Sequence, residues 1–104
     1  MENVKILGMP YIIKHENSAL SYGETGRCSP DALTITVEPN LPADKYNQTL
    51  FHEIIHAALS ETGNKEEYEN ERLVSNLALA LYQILHDCGA LNMDCWLFKK
   101  PPCT

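Results

Sequence analysis

The spacing of apolar residues changes along the chain, and each change marks an element. In residues 32–39, "ALTITVEP", Leu33, Ile35 and Val37 alternate with Thr34, Thr36 and Glu38. That period of two predicts a strand with one buried face. Pro39 ends it, and Pro42 suits the first turn of a following helix. Residues 4–14, "VKILGMPYIIK", also read as strand, but Gly8 and Pro10 interrupt them. An edge strand or two short pieces is expected there. The intervening segment 18–31, "SALSYGETGRCSPD", is rich in Gly and Ser. It suggests a short strand around residues 20–24 and a turn at "CSPD".

Beyond residue 42 the apolar spacing becomes helical. One helix is expected over residues 42–61, stopped by Gly63. Asn64, with Glu67 three residues later, resembles a capping box for a second helix over residues 65–87. Its apolar positions are Leu73, Val74, Leu77, Leu81, Ile84 and Leu85, and Gly89 closes it. The short connection makes the two helices antiparallel. The tail carries Leu91, Met93, Trp96, Leu97 and Phe98, which are expected to pack back before "KKPPCT" frays. Strands followed by helices indicate an α+β class. No repeat or low-complexity tract is visible.

Composition narrows the picture. A chain of 104 residues is one small domain, here residues 1–104 with a core over 3–88 and a tail over 89–104. With 44% hydrophobic and 21% charged residues it is globular, not disordered. A formal charge of −6 argues against a nucleic-acid partner, which calls for clustered Lys and Arg. The acidic run "NKEEYENER" (64–72) reads as a solvated helix start. No targeting segment is apparent, and no apolar run reaches the roughly 20 residues that span a bilayer. A cytoplasmic protein that does not engage membranes is expected. Cys28, Cys88, Cys95 and Cys103 are then expected as free thiols. The spacing of the last three lacks the CxxC pairs of a zinc knuckle.

The chemistry concentrates in "QTLFHEIIHAAL" (48–59). On a helix, His52 and His56 lie about 40° apart and can share one metal ion. Glu53 projects about 60° from His56, beside such an ion. It is placed to take a proton from an attacking water, as a general base. Leu50, Phe51, Ile54, Ile55, Ala57, Ala58 and Leu59 form an apolar back, while Thr49 and Ser60 share the histidine side. An HExxH motif in this helical context indicates zinc.

A catalytic zinc needs a third protein ligand and an open position. His86 lies far down the second helix, and His15 reads as a surface residue. A glutamate of the second helix is therefore expected. Glu71 shares a stripe with Ser75, Ala78 and Tyr82, where small residues permit close approach. Glu67, one turn earlier on that stripe, is the second choice. Glu66 also competes, and Glu69 points roughly 160° away from Glu71. The expected centre is Zn2+ on His52, His56 and Glu71, with Glu53 catalytic. Tyr68, Tyr82 and His86 are candidates to support the oxyanion. Zinc proteases with an HExxH helix commonly hold substrate as a strand added to a sheet edge, and "ALTITVEP" is the edge expected here.

"QTLFHEIIHAAL", the acidic segment after it and "ERLVSNLALALYQIL" together resemble the small gluzincin-like metallopeptidases of the ImmA/IrrE type. The likeness is strongest to short forms from phages and mobile elements. "VKILGMPYIIK" and "TITVEPNLPADKYNQTL" add to it, so that it covers roughly residues 3–87. The resemblance implies a minimal zincin-like domain with about three strands packed on the HExxH helix. It also implies His52, His56 and Glu71 as ligands, Glu53 as catalytic residue, and a protein substrate of the transcriptional-regulator kind. Two alternatives stand beside it. One is a catalytically weak or inactive zincin whose metal stabilises a protein-binding module. The other is a metal-dependent hydrolase of non-peptide substrates.

Overall fold

The computed structural model describes residues 3–16, 24–92 and 97–99. The chain is α+β, and its described residues form four strands: β1 (Asn3–Ile6), β2 (Met9–His15), β3 (Gly26–Ser29) and β4 (Thr34–Val37). Three helices follow, α1 (Ala43–Glu61), α2 (Lys65–Tyr68) and α3 (Glu71–Asp87). The sheet order is β1-β2-β4-β3. β1 with β2 and β3 with β4 are antiparallel, while β2 with β4 is parallel. The sheet thus has one strand more than the three expected.

The interruption at Gly8 is a hairpin turn. Leu7 and Gly8 both take positive φ, 52° and 88°, which matches the two-residue turn whose twist suits a hairpin. β2 is an interior strand despite Pro10. β4 pairs only with Ile12–His15, so the missing Pro10 N–H costs no bond on that side. The expected strand at 20–24 is not found as such: residues 20–23 lie outside the described residues, and Glu24 is in no strand. The strand is Gly26–Ser29, and a short 3-10 turn, Pro30–Ala32, carries the chain to β4. Leu33 caps that turn at φ 50°, so β4 starts one residue later, at Thr34. β4 lies between β2 and β3, which corrects the expectation that "ALTITVEP" is the edge. Ile35 and Val37 are wholly buried under α1, and a strand so covered belongs inside the sheet.

Helix α1 is packed on two sides. Tyr46, Leu50 and Ala57 join Ile6, Tyr11, Ile13, Ile35 and Val37 in the core against the sheet. Phe51 and Ile55 join Val74, Ala78, Tyr82 and Leu91 in a second core against α3. The predicted second helix is broken in two. Asn70 caps α3, its Oδ1 accepting the Leu73 N–H at 3.0 Å. The capping box expected at Asn64 does not form; its amide donates to Thr62 Oγ1 instead. Glu71 therefore opens α3.

The tail folds back as expected, and further than expected. Phe98 stacks on Phe51 with ring centroids 4.4 Å apart. Asn47 is fully buried, and its amide exchanges two hydrogen bonds with the Lys99 backbone at 2.7 and 2.8 Å. Lys99 Nζ donates to the Pro39 and Leu41 carbonyls and lies over the Tyr46 ring. Fraying therefore does not begin at Lys99. Met93, Trp96 and residues 100–104 lie outside the described residues, as do Cys95 and Cys103. Cys28 and Cys88 are free thiols. Among the described residues no helix is long and apolar enough to cross a membrane.

The turn yields a direct test. Leu7 is exposed and left-handed, a conformation that strains a branched side chain but suits Asn. Leu7→Asn is expected to stabilise the fold by about 1 kcal/mol, read as a higher denaturant midpoint at unchanged slope.

Candidate metal centre

Two helices build the centre. One turn of α1 separates His52 from His56, and the first residue of α3 supplies Glu71. The Glu71 carboxylate reaches both rings, Oε1 to His52 Nε2 at 2.9 Å and Oε2 to His56 Nε2 at 2.8 Å. The two Nε2 atoms are 3.1 Å apart. Ligands about 2.0–2.1 Å from a tetrahedral zinc stand roughly 3.3 Å from each other, so groups this close can reach one shared ion. His52, His56 and Glu71 can hold a metal ion. Two imidazole nitrogens turned on each other and on one carboxylate make a poor set of mutual hydrogen bonds, but a good set of lone pairs for a cation.

The surroundings fix the rings. Ser75 Oγ lies 3.3 Å from His52 Nδ1, where it can accept the N–H that leaves Nε2 free as a ligand. The Tyr68 ring meets His56 edge-on, with centroids 4.9 Å apart. Burial lowers the pKa of His56, keeping the ring neutral and able to ligate.

Glu53 sits beside the cluster and is almost fully buried. Burial first, then repulsion from Glu71 and Glu24, pushes its carboxyl up to about 8. Gly26 of β3 packs directly on it. A Cβ at residue 26 would stand 3.2 Å from Glu53 Cγ and Oε2, and 2.6 Å from Thr49 Cγ2. Cys28, two residues along β3, is held as a thiol, its pKa raised to about 12 by burial and by Glu53 and Glu61. An open cleft of about 760 Å³ runs over the centre between β3 and α3. Thr25, Gly26 and Cys28 line one wall; Tyr68, Ser75 and Ala78 line the other.

The structure brings His52, Glu53, His56 and Glu71 together. It does not bring Glu67, the second choice, into the cluster, because the break at Asn70 ends the shared stripe. The same break turns Glu69 into the cleft, although a continuous helix would point it away. Tyr82 and His86 are corrected as oxyanion candidates. Tyr82 is buried in the α1–α3 core with its hydroxyl donating to Asp44, and His86 lies beside it against Asp87. Tyr68 alone of the three lines the cleft. His15 stays exposed and pairs with the Tyr46 hydroxyl. Sequence reasoning missed Gly26, whose one signal was a glycine inside a short strand, a mark of close approach.

Comparison of the chain with protein-family profiles, curated proteins and solved structures finds no match.

Two predictions follow from Glu53 and its neighbour. In protein stripped of divalent metal, the native state keeps a proton on Glu53 that the unfolded chain releases near its ordinary value of 4.5. Between about 4.5 and about 8 the native state binds more protons, so stability falls as pH rises through that window. Melting curves of chelated wild type and Glu53→Gln should therefore diverge with rising pH, the glutamine variant gaining. Parallel curves would contradict the buried, protonated carboxyl. Separately, Gly26→Ala should destabilise the fold by about 1–3 kcal/mol in denaturant titration, because Thr49 and Glu53 must move.

Proposed function

We propose that this chain is a zinc-dependent peptidase that takes an extended polypeptide along β3. The observation that carries the reading is the convergence of His52, His56 and Glu71 within reach of one ion, with the buried Glu53 carboxyl beside them in an open cleft. Two imidazoles and one carboxylate suit zinc among the biological metals. Zinc at such a site supplies a Lewis acid that polarises a carbonyl and acidifies a water.

The chain's own residues supply the rest. Glu53, which a cation held by His52, His56 and Glu71 would draw towards its ionised form, would accept the proton of the attacking water and deliver it to the leaving amine. Gly26, lacking a side chain, lets the β3 backbone approach Glu53 and brings a bound backbone close to the reacting atoms. β3 is the sheet edge on this side, so a peptide can add to it as a further strand. Tyr68 stays a protonated donor, since burial raises its pKa, and it faces the cleft from the opposite wall. The likeness to ImmA/IrrE-type peptidases points to a regulatory protein as the target, in the cytoplasm.

Elemental analysis and a peptide-library cleavage assay test the proposal together. Wild type should hold about one zinc per chain. His56→Ala should lose it, and Glu71→Ala should bind it more weakly. Glu53→Gln should keep the metal and lose cleavage by about 10²-fold or more. A chain that holds no zinc after reconstitution would sink the reading. Full zinc without cleavage of any peptide would move it to the binding module.

A further inference from the structure

Helix α3 carries a second apolar face that nothing in the described fold covers. Leu77, Leu81 and Ile84 are 42%, 44% and 56% exposed. Ala80 and Cys88 are also exposed, and half-buried Leu73 continues the row. Spacings of three and four keep these residues on one face. This face is distinct from the one that Val74, Ala78 and Tyr82 bury against α1. It also lies well round the helix from Glu71 and Ser75, which line the cleft.

We infer that this face pairs with the same face of a second copy of the chain, the two α3 helices running antiparallel across a two-fold axis near Ala80. Three observations favour a second copy over another occupant. First, the row is its own complement: Leu77 of one copy falls between Leu81 and Ile84 of the other, and the small Ala80 sits at the axis, where two helices must approach most closely. Second, the polar flank is complementary in this direction only. Arg72, Asn76, Gln83 and Asp87 lie along one side of the row. Antiparallel pairing sets Arg72 of each copy beside Asp87 of the other, and Asn76 beside Gln83. Parallel pairing would instead set this polar flank against the opposite side of the partner's row, the side where Val74 and Leu85 pack towards α1. In the single chain both Arg72 and Asp87 are exposed.

Third, the size fits. Several large side chains, each about half exposed, offer a few hundred Å² per copy, the patch size that marks interaction sites on soluble proteins. That is small for an obligate dimer and matches a reversible one. The pairing leaves the metal cleft open in both copies, so it does not rest on the peptidase reading.

Sedimentation analysis of the full chain over a concentration series tests this. Wild type should shift from the 11.7 kDa monomer to twice that mass, with a dissociation constant in roughly the micromolar range. Leu81→Glu and Ile84→Glu, both on the exposed face, should weaken pairing by at least about tenfold. Arg72→Asp and Asp87→Arg should each weaken it, and the double variant should recover it, which a general loss of folding could not do. A wild type that stays monomeric at about 200 µM would overturn the inference and leave the face to another partner. So would a dimer indifferent to the glutamate substitutions, or a double charge reversal that fails to recover.

Discussion

The structure depends on one helix being held from two sides. α1 gives Leu50 and Ala57 to the sheet, and Phe51 and Ile55 to α3. A helix clamped this way can neither rotate nor slide, since either motion would pull apolar side chains out of one core or the other. Its remaining face carries His52, Glu53 and His56, so their directions are set by packing and not by their own contacts. The third ligand depends on a smaller device. The Asn70 side chain ends one helical segment and starts the next, bringing Glu71 to the first position of α3, within reach of both rings.

Most buried polar groups around α1 have partners. Asn47 is matched by the Lys99 backbone, Tyr11 donates to Glu61 at 2.7 Å, and Tyr82 donates to Asp44. Burying such groups without partners is costly, and these pairings remove the cost. The cluster at His56 and Glu53 departs from that rule. His56 Nδ1 is buried without a full hydrogen bond, with the Tyr68 backbone as a weak partner to the ring. Glu53 is a buried carboxyl in a field of other acids. A fold that satisfies its structural polar groups and leaves these poorly matched gives up stability at one place, a pattern common at functional sites.

Much of this was legible in the sequence, for physical reasons that differ by element. The α1 helix, its stop near Gly63 and the histidine face follow from the spacing of His52 and His56 and the flanking Pro42 and Gly63, and were readable directly. The burial of Ile35 and Val37 follows from a period of two. Three features were not readable. The hairpin at Leu7–Gly8 uses Leu where Asn or Asp is usual, so the turn looked like an interruption. The place of β4 inside the sheet depends on which strands lie beside it, and alternation along one strand carries no such information. The break at Asn70 hides in an acidic run with two Asn residues, Asn64 and Asn70, each able to cap; which one wins is decided by packing. That break decides between Glu67 and Glu71, and it also overturns Tyr82 and His86, whose positions followed from treating residues 65–87 as one straight helix.

The proposed peptidase requires one zinc ion among His52, His56 and Glu71. X-ray absorption at the zinc edge of the purified protein reads that shell directly. Only nitrogen and oxygen neighbours at about 2.0–2.1 Å, including two imidazoles, are expected. A sulfur neighbour near 2.3 Å would put the metal on the cysteines and contradict the proposal.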